Sequence, residues 1–217
     1  METMKILIGL SGKARSGKDS VGEFLVEELS AYGVVKAAFA DELKRQVAEH
    51  FDLSHEQLYG DLKEVPDERY KKPGPPQGVA VTYDDGRGLP PWYWTPREIM
   101  QEYGQFMRTI DYDYWIKVLF RKLTRQEQEV VVITDVRHIN EVNAVLDIGG
   151  VHIRIYRDSD EVNAVHNQQH ISETALDNYG HINYEVNNNG TLDDLRITAR
   201  NLARIIKEKY KEELHDG

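Results

Sequence analysis

The 217-residue chain is predicted to be an α/β fold, a three-layer α/β/α arrangement with a parallel sheet at its centre. Three observations predict it. Apolar runs at 6–10, 34–39, 130–134 and 151–156, with a weaker one at 182–186, read as short strands buried on both faces. Helical patterns alternate with them, at 18–32, 41–50, 96–109, 113–123, 140–148 and 192–214. Between the first strand and the first helix stands Gly12-Lys13-Ala14-Arg15-Ser16-Gly17-Lys18-Asp19, a glycine-rich connection of the kind that holds phosphates.

Each element has a local reason. The first helix carries Val21, Phe24, Leu25, Val26 and Leu29 on an apolar stripe. The last carries Leu195, Ile197, Leu202, Ile205 and Ile206, with Thr191 as its N-cap and Asp193 and Asp194 complementing the helix dipole. Two interruptions break the alternation. About ninety residues, 40–129, separate the second strand from the third, far more than one crossover helix needs; within them 66–91 is rich in Pro and Gly and reads as an irregular loop or short hairpin. A smaller polar insertion lies between Tyr156 and Ile182.

Composition narrows the function classes. A formal net charge of −10 argues against a general nucleic-acid binder, which needs a basic face, whereas a ligand with a few phosphates needs only local cations. The absence of cysteine excludes disulfides and thiolate metal sites and fits a reducing cytosol. No apolar run approaches the roughly 20 residues that span a bilayer, so no membrane association is expected, and residues 1–5 lead into a strand with no signal-peptide pattern.

In the glycine-rich loop, backbone N–H groups form the phosphate cradle, and Lys18 places a cation in it. Lys13, Arg15, Ser16 and Ser20 belong to the same candidate nucleotide site. Asp19 stands where Ser or Thr usually offers a hydroxyl to Mg²⁺; a carboxylate is itself a hard ligand, so Asp19 is a candidate metal ligand. Asp135 ends an apolar strand and is a second candidate for the metal, with Arg137 beside it to neutralise transferring phosphate; the alternative is a helix cap and a surface arginine. Asp41 reads as an N-cap, and Lys44 and Arg45 either contact an acceptor phosphate or form a solvated helical face. Arg97, Gln101 and Arg108 share one helical face suited to a monoester phosphate and a base edge, with a plain exposed helix as the alternative. Trp92-Tyr93-Trp94 either stacks on a base or anchors a loop, and Arg154 and Arg157 flank the small insertion as lid cations. His166 and His170 have metal-like spacing, but solvated histidines are the better reading.

Taken in order, the loop at 12–19, Phe39-Ala40-Asp41, the segment 97–104, Asp135-Val136-Arg137-His138-Ile139-Asn140-Glu141, His170-Ile171-Ser172-Glu173 and Asn188-Asn189-Gly190-Thr191-Leu192 resemble the bacteriophage-type deoxynucleoside monophosphate kinases, a branch of the P-loop kinases. In the Asp135 motif, His138 and Ile139 replace the family's Phe-Pro. The resemblance implies transfer of the ATP γ-phosphate to a dNMP, with Mg²⁺, in support of DNA precursor synthesis. It implies a core at roughly 1–40, 110–156 and 176–217, an acceptor-binding insertion at 41–109 and a lid at 157–175. Gly12, Gly17 and Lys18 would hold ATP, Lys18, Asp135 and Arg137 would carry the chemistry, and Asn188, Gly190 and Thr191 would border the donor adenine. Asp41, Lys44, Arg45, Arg97, Gln101, Arg108, Arg137 and Glu173 would face the acceptor. The partners implied are small molecules, dNMP and ATP. Dimerisation is common in the family, so a homodimer is carried as an open expectation, and the location implied is the cytoplasm, the host's where the gene is phage-borne. Three rivals stand beside this reading. One is a P-loop kinase with another acceptor, such as dephospho-coenzyme A or a sugar or sugar acid; the second is a GTP-binding switch, for which Asp147-Ile148-Gly149-Gly150 is a formal match; the third is a non-enzymatic assembly protein that keeps a relic loop.

Overall fold

A computed structural model describes residues 6–73, 93–125, 128–158, 175–176 and 179–211. The chain divides into two compact units, one of Met1–Ala40 with Trp115–Gly217, the other of Asp41–Tyr114.

The first unit contains five parallel strands, β1 (Ile6–Ser11), β2 (Val34–Ala37), β3 (Val130–Ile133), β4 (Val151–Tyr156) and β5 (Tyr184–Asn187), in the order β2-β3-β1-β4-β5. The sequence-based α/β reading therefore holds. Central β1 is buried along its whole length, as a strand covered on both faces must be. Its alternate residues serve different layers. Ile6, Ile8 and Leu10 join one apolar cluster with Val21, Phe24 and Leu25 of α1 (Lys18–Glu28) and with Leu195, Ala199, Leu202 and Ile206 of the last helix, α7 (Leu192–Lys209). On the other face Gly9 has no side chain, and a Cβ there would lie 3.1 Å from Val136 and from Val145 of α6 (Ile139–Asp147). The missing methyl lets that helix sit close against the sheet.

The second unit holds most of α2 (Phe39–Phe51), then α3 (His55–Tyr59) and α4 (Pro96–Ile110), and it ends where α5 (Tyr114–Leu123) begins. Its core is Val47, Leu53, Leu58, Ile99 and Met100, flanked by Phe51, Tyr70, Trp94 and Tyr103. Ser54 caps α3 and Thr95 caps α4, each in a reciprocal box with the residue three positions on, Gln57 and Glu98. The short α3 has no counterpart in the sequence-based reading, because five residues are too few for a helical period to show.

One boundary correction matters for the site. The second strand stops at Ala37, and Phe39, expected at its end, already belongs to α2. Asp41 is consequently not an N-cap. It lies exposed inside the first turn of α2, where its charge still complements the helix dipole.

Candidate active site at the glycine-rich loop

β1 delivers the chain at Ser11 into a tight loop whose shape depends on glycine at two places. A Cβ on Gly12 would lie 2.4 Å from the carbonyl oxygen of Ile155 and 2.5 Å from Ser16 Oγ. Gly17 has φ +94, and a Cβ there would meet Asn188 Nδ2 at 2.3 Å. Between them, Ser16 N–H donates to the Lys13 carbonyl at 3.1 Å, and Arg15 adopts φ +67, a left-handed conformation that costs a non-glycine residue about 1 kcal/mol.

The loop ends at the N-terminus of α1, where no side chain caps the first turn. Its leading N–H groups are therefore the orphan donors that attract an anion. Lys18 is buried to 9% exposure, with Nζ 3.7 Å from Asp19 Oδ2, while the Asp19 carboxylate is three-quarters exposed. Ser16 Oγ is buried with no hydrogen-bond partner among the described residues, although a hydroxyl in such a place normally has one. An uncapped helix end, a half-committed lysine and an orphaned hydroxyl make a donor set that fits a chain of phosphates. Asp19 adds a single hard oxygen donor at its edge, which suits Mg²⁺ shared with phosphates better than an all-protein cage. Among the described residues no three His, Asp or Glu side chains gather to form such a cage.

The loop is braced from two sides. Asn188 is buried, and its Nδ2 donates to the Ser16 carbonyl at 2.8 Å. Its own carbonyl accepts from Arg157 Nε at 2.7 Å, and its N–H donates to the Tyr156 carbonyl at 2.8 Å. Beneath the loop, fully buried His152 lies 2.8 Å from Ser11 Oγ through Nε2 and 3.2 Å from the His181 carbonyl through Nδ1. A carbonyl only accepts, so Nδ1 carries the proton and the Ser11 hydroxyl donates to Nε2. Burial lowers the imidazole pKa and Arg154 adds to this, against the opposing pull of the His181 carbonyl.

Several of the candidate residues have structural work in the fold. Asp135 accepts from Phe39 N–H at 2.7 Å and Ala40 N–H at 2.8 Å, so its carboxylate caps α2, where Ala38 precedes the helix and has no side-chain acceptor to offer. The helix-cap alternative thus holds for Asp135, on α2 and not on the helix that follows it in sequence. Arg154 donates to the Leu176 carbonyl and Arg157 Nε to the Asn188 carbonyl, so one donor of each guanidinium is committed to the fold. Asn188 faces the loop backbone. Thr191 caps α7 by accepting from Asp194 N–H at 3.2 Å, and Gly190 leaves room for the Asp194 carboxylate that completes the box. Arg137 sits in the turn after β3, its N–H donating at 2.8 Å to buried Glu141, which also accepts from His138 N–H and fixes the turn despite the altered Phe-Pro positions.

In the second unit Arg45 bonds Glu42 at 2.8 Å and Glu49 at 3.3 Å along its own helix, the solvated-face alternative, and this pairing raises its pKa. Lys44 Nζ lies 4.0 Å from the centre of the Tyr59 ring. Arg97, Gln101, Gly104 and Arg108 form one stripe of α4. A Cβ on Gly104 would lie 3.4 Å from Leu43, so this face approaches α2. Arg97 pairs with Glu64, and Arg108 Nη1 reaches the Gly104 carbonyl at 3.4 Å. Trp92, His166, His170, Glu173 and nearly all of the expected lid lie outside the described residues.

A family model, deoxynucleotide monophosphate kinase, matches residues 91–198, a span that includes α4, the Asp135–Arg137 turn and Asn188. A protein of Acanthamoeba polyphaga mimivirus that is named for the same family is 31% identical over 191 residues, covering 87% of this chain and 91% of that one. The chain belongs to the deoxynucleotide monophosphate kinase family. Looser likenesses among solved structures include a gluconokinase from Sinorhizobium meliloti 1021, with 14% identity and a TM-score of 0.47 over 99% of this chain and 100% of that one. A dephospho-CoA kinase from Campylobacter jejuni shows 12% identity and a TM-score of 0.45 over 94% of this chain and 98% of that one.

For a member of this family, the bracing by Asn188 and His152 was not open to sequence reasoning. Asn188 lies 172 residues from Ser16, and His152 lies 141 from Ser11; only the pairing of β1 with β4 and β4 with β5 brings them to the loop. The one available signal was a polar residue, His152, inside an otherwise apolar strand.

Proposed function

We propose that this chain transfers the γ-phosphate of ATP to a deoxynucleoside monophosphate, giving a dNDP and ADP for DNA precursor synthesis. Family membership together with the phosphate cradle at Gly12–Lys18 supports the reading, and the cradle is the observation that carries it. In the reaction a phosphate oxygen of the acceptor forms a bond to the γ-phosphorus, the bond from phosphorus to the β–γ bridging oxygen breaks, and ADP leaves with that electron pair. Such a transfer passes through a loose transition state, so the protein's task is positioning and charge neutralisation more than base catalysis. The leading N–H groups of α1, Lys18 and the Ser16 hydroxyl would hold the donor phosphates. Asp19 would hold Mg²⁺, which when bound screens charge on the β- and γ-phosphates.

Asp41–Tyr114 would be the acceptor-binding unit, with Gln101 and Arg108 of α4 turned to the acceptor. Asn188, Arg157 and Asp135 would act indirectly, by holding the loop and the start of α2. A panel of dNMPs, NMPs and dephospho-coenzyme A with ATP and Mg²⁺, followed by ADP release, tests the reading. Acceptor-dependent turnover on at least one dNMP, reduced by two or more orders of magnitude in Lys18→Ala, is expected. Turnover confined to a non-nucleotide acceptor, or an unchanged rate in Lys18→Ala, would overturn it.

A further inference from the structure

The second unit contains a cavity of about 570 Å³ lined by Phe51, Arg69, Tyr70, Lys71, Trp94, Ile99, Glu102, Tyr103 and Phe106. It lies on the opposite side of α4 from the stripe of Arg97, Gln101 and Arg108. Successive helical residues are about 100° apart, which puts Ile99, Glu102, Tyr103 and Phe106 on one arc and the stripe on the other. The proposed acceptor face and this cavity are therefore separate places.

Its walls are aromatic and held in place. Phe51 meets Tyr70 edge to face at 5.5 Å and Tyr103 at 6.1 Å, and the Tyr70 hydroxyl donates to the Phe51 carbonyl. Trp94 is fixed by backbone bonds to Tyr70 and Asp67 at 2.8 and 2.9 Å, and Lys72 covers it at 5.1 Å. Arg69 is clamped on Asp67 by bonds of 2.7 and 2.9 Å, which makes it a neutralised part of the wall. Lys71 and Glu102 differ from it. Each lines the cavity, and neither has an ion-pair or side-chain hydrogen-bond partner among the described residues. Phe106 is 59% exposed and lines the cavity beside the other aromatics.

An aromatic cleft with two charges of opposite sign that have no partner among the described residues is the pattern of a small-molecule site. Rings on several sides offer stacking surfaces to a planar base, which every nucleobase can use. Lys71 supplies a cation for an anionic group, and Glu102 an acceptor for an exocyclic amino or hydroxyl donor. We propose that this cleft is a second nucleotide site, distinct from both substrate sites, which takes the base between its aromatic walls and the phosphate at Lys71.

The experiment uses the full chain labelled with 5-fluorotryptophan, in which the Trp94 ¹⁹F resonance reports on the cleft. The probes are each of the four dNMPs, the matching deoxynucleosides and inorganic phosphate, added separately. Arg97→Ala/Arg108→Ala weakens the proposed acceptor face, so a Trp94 shift that survives in this variant belongs to the cleft. The expected result is a saturable shift with at least one dNMP in wild type and in that variant, weakened at least tenfold by Lys71→Glu and by Phe106→Ala. Both substitutions lie at exposed positions outside the catalytic machinery, and kcat in both should stay within twofold of wild type. The deoxynucleoside alone should bind more weakly and phosphate alone should leave Trp94 unmoved. No saturable Trp94 shift with any dNMP, or a shift indifferent to both Lys71→Glu and Phe106→Ala, would overturn the proposal. So would a shift lost in Arg97→Ala/Arg108→Ala, which would assign it to the acceptor face.

Discussion

Replacing Asp135 separates two roles that its sequence position allows, holding a metal and holding a helix. Both carboxylate oxygens accept backbone N–H groups of the first turn of α2, at 2.7 and 2.8 Å, and Ala38 offers no local substitute. Hydrogen bonds to a charged acceptor contribute roughly 1.5–3 kcal/mol each, and the charge at a helix N-terminus adds about 0.3–1 kcal/mol. Asp135→Asn keeps the shape but turns an amide N–H₂ toward one of the two donors, so one bond and the charge are lost together. The expected cost is about 2 kcal/mol for Asp135→Asn and about 3–4 kcal/mol for Asp135→Ala, where solvent recovers part of the second bond. For a chain of this size, each kcal/mol lowers Tm by about 2–4 °C, so the shifts are about 4–8 °C and 6–16 °C. Thermal denaturation in buffer with EDTA and no Mg²⁺ reads the capping role alone. A Tm within 1 °C of wild type for both variants under those conditions would refute the capping argument and return Asp135 to the metal.

Gly17→Ala should lower Tm by several degrees and raise KM for ATP more than it lowers kcat. The added methyl meets Asn188 Nδ2 at 2.3 Å in a left-handed conformation, and it displaces the brace on the Ser16 carbonyl at a total cost of about 3 kcal/mol; unchanged KM and Tm would show that the loop does not need this fit. Stability should also fall in acid through two groups. His152 binds a proton less readily folded than unfolded, so its contribution is intact above about pH 6.5 and declines as pH drops below it. Asp67, whose bond to Arg69 holds its pKa at about 2, loses its contribution only between about pH 4 and pH 2. Urea midpoints from pH 8 to 5 in wild type and His152→Asn measure the first step, and equal slopes in the two proteins would count against it.

The loop was legible because everything it needs is local: an apolar strand, two glycines, a lysine and a helix within about fifteen consecutive residues. The strands were legible for a similar reason, since β1 and β3 are buried on both faces and so read as unbroken apolar runs. Thr191 could be named as a cap because its partner Asp194 is three residues away. Asp41 was misplaced because the boundary between β2 and α2 turns on a cap supplied by Asp135, about 95 residues on.

By itself, then, the sequence determined the fold class, the phosphate cradle and the order of the motifs, all set by short-range periodicity and backbone chemistry. Only the tertiary structure decided what Asp135, Asn188, Arg157 and His152 do. Their partners are groups distant in the chain, backbone in every case but the Ser11 hydroxyl, and hydrogen bonds of that kind follow from strand order and register. The same reason hid the aromatic cleft. Phe51, Tyr70, Trp94 and Phe106 look like scattered core residues until the folding of Asp41–Tyr114 stands them around one space.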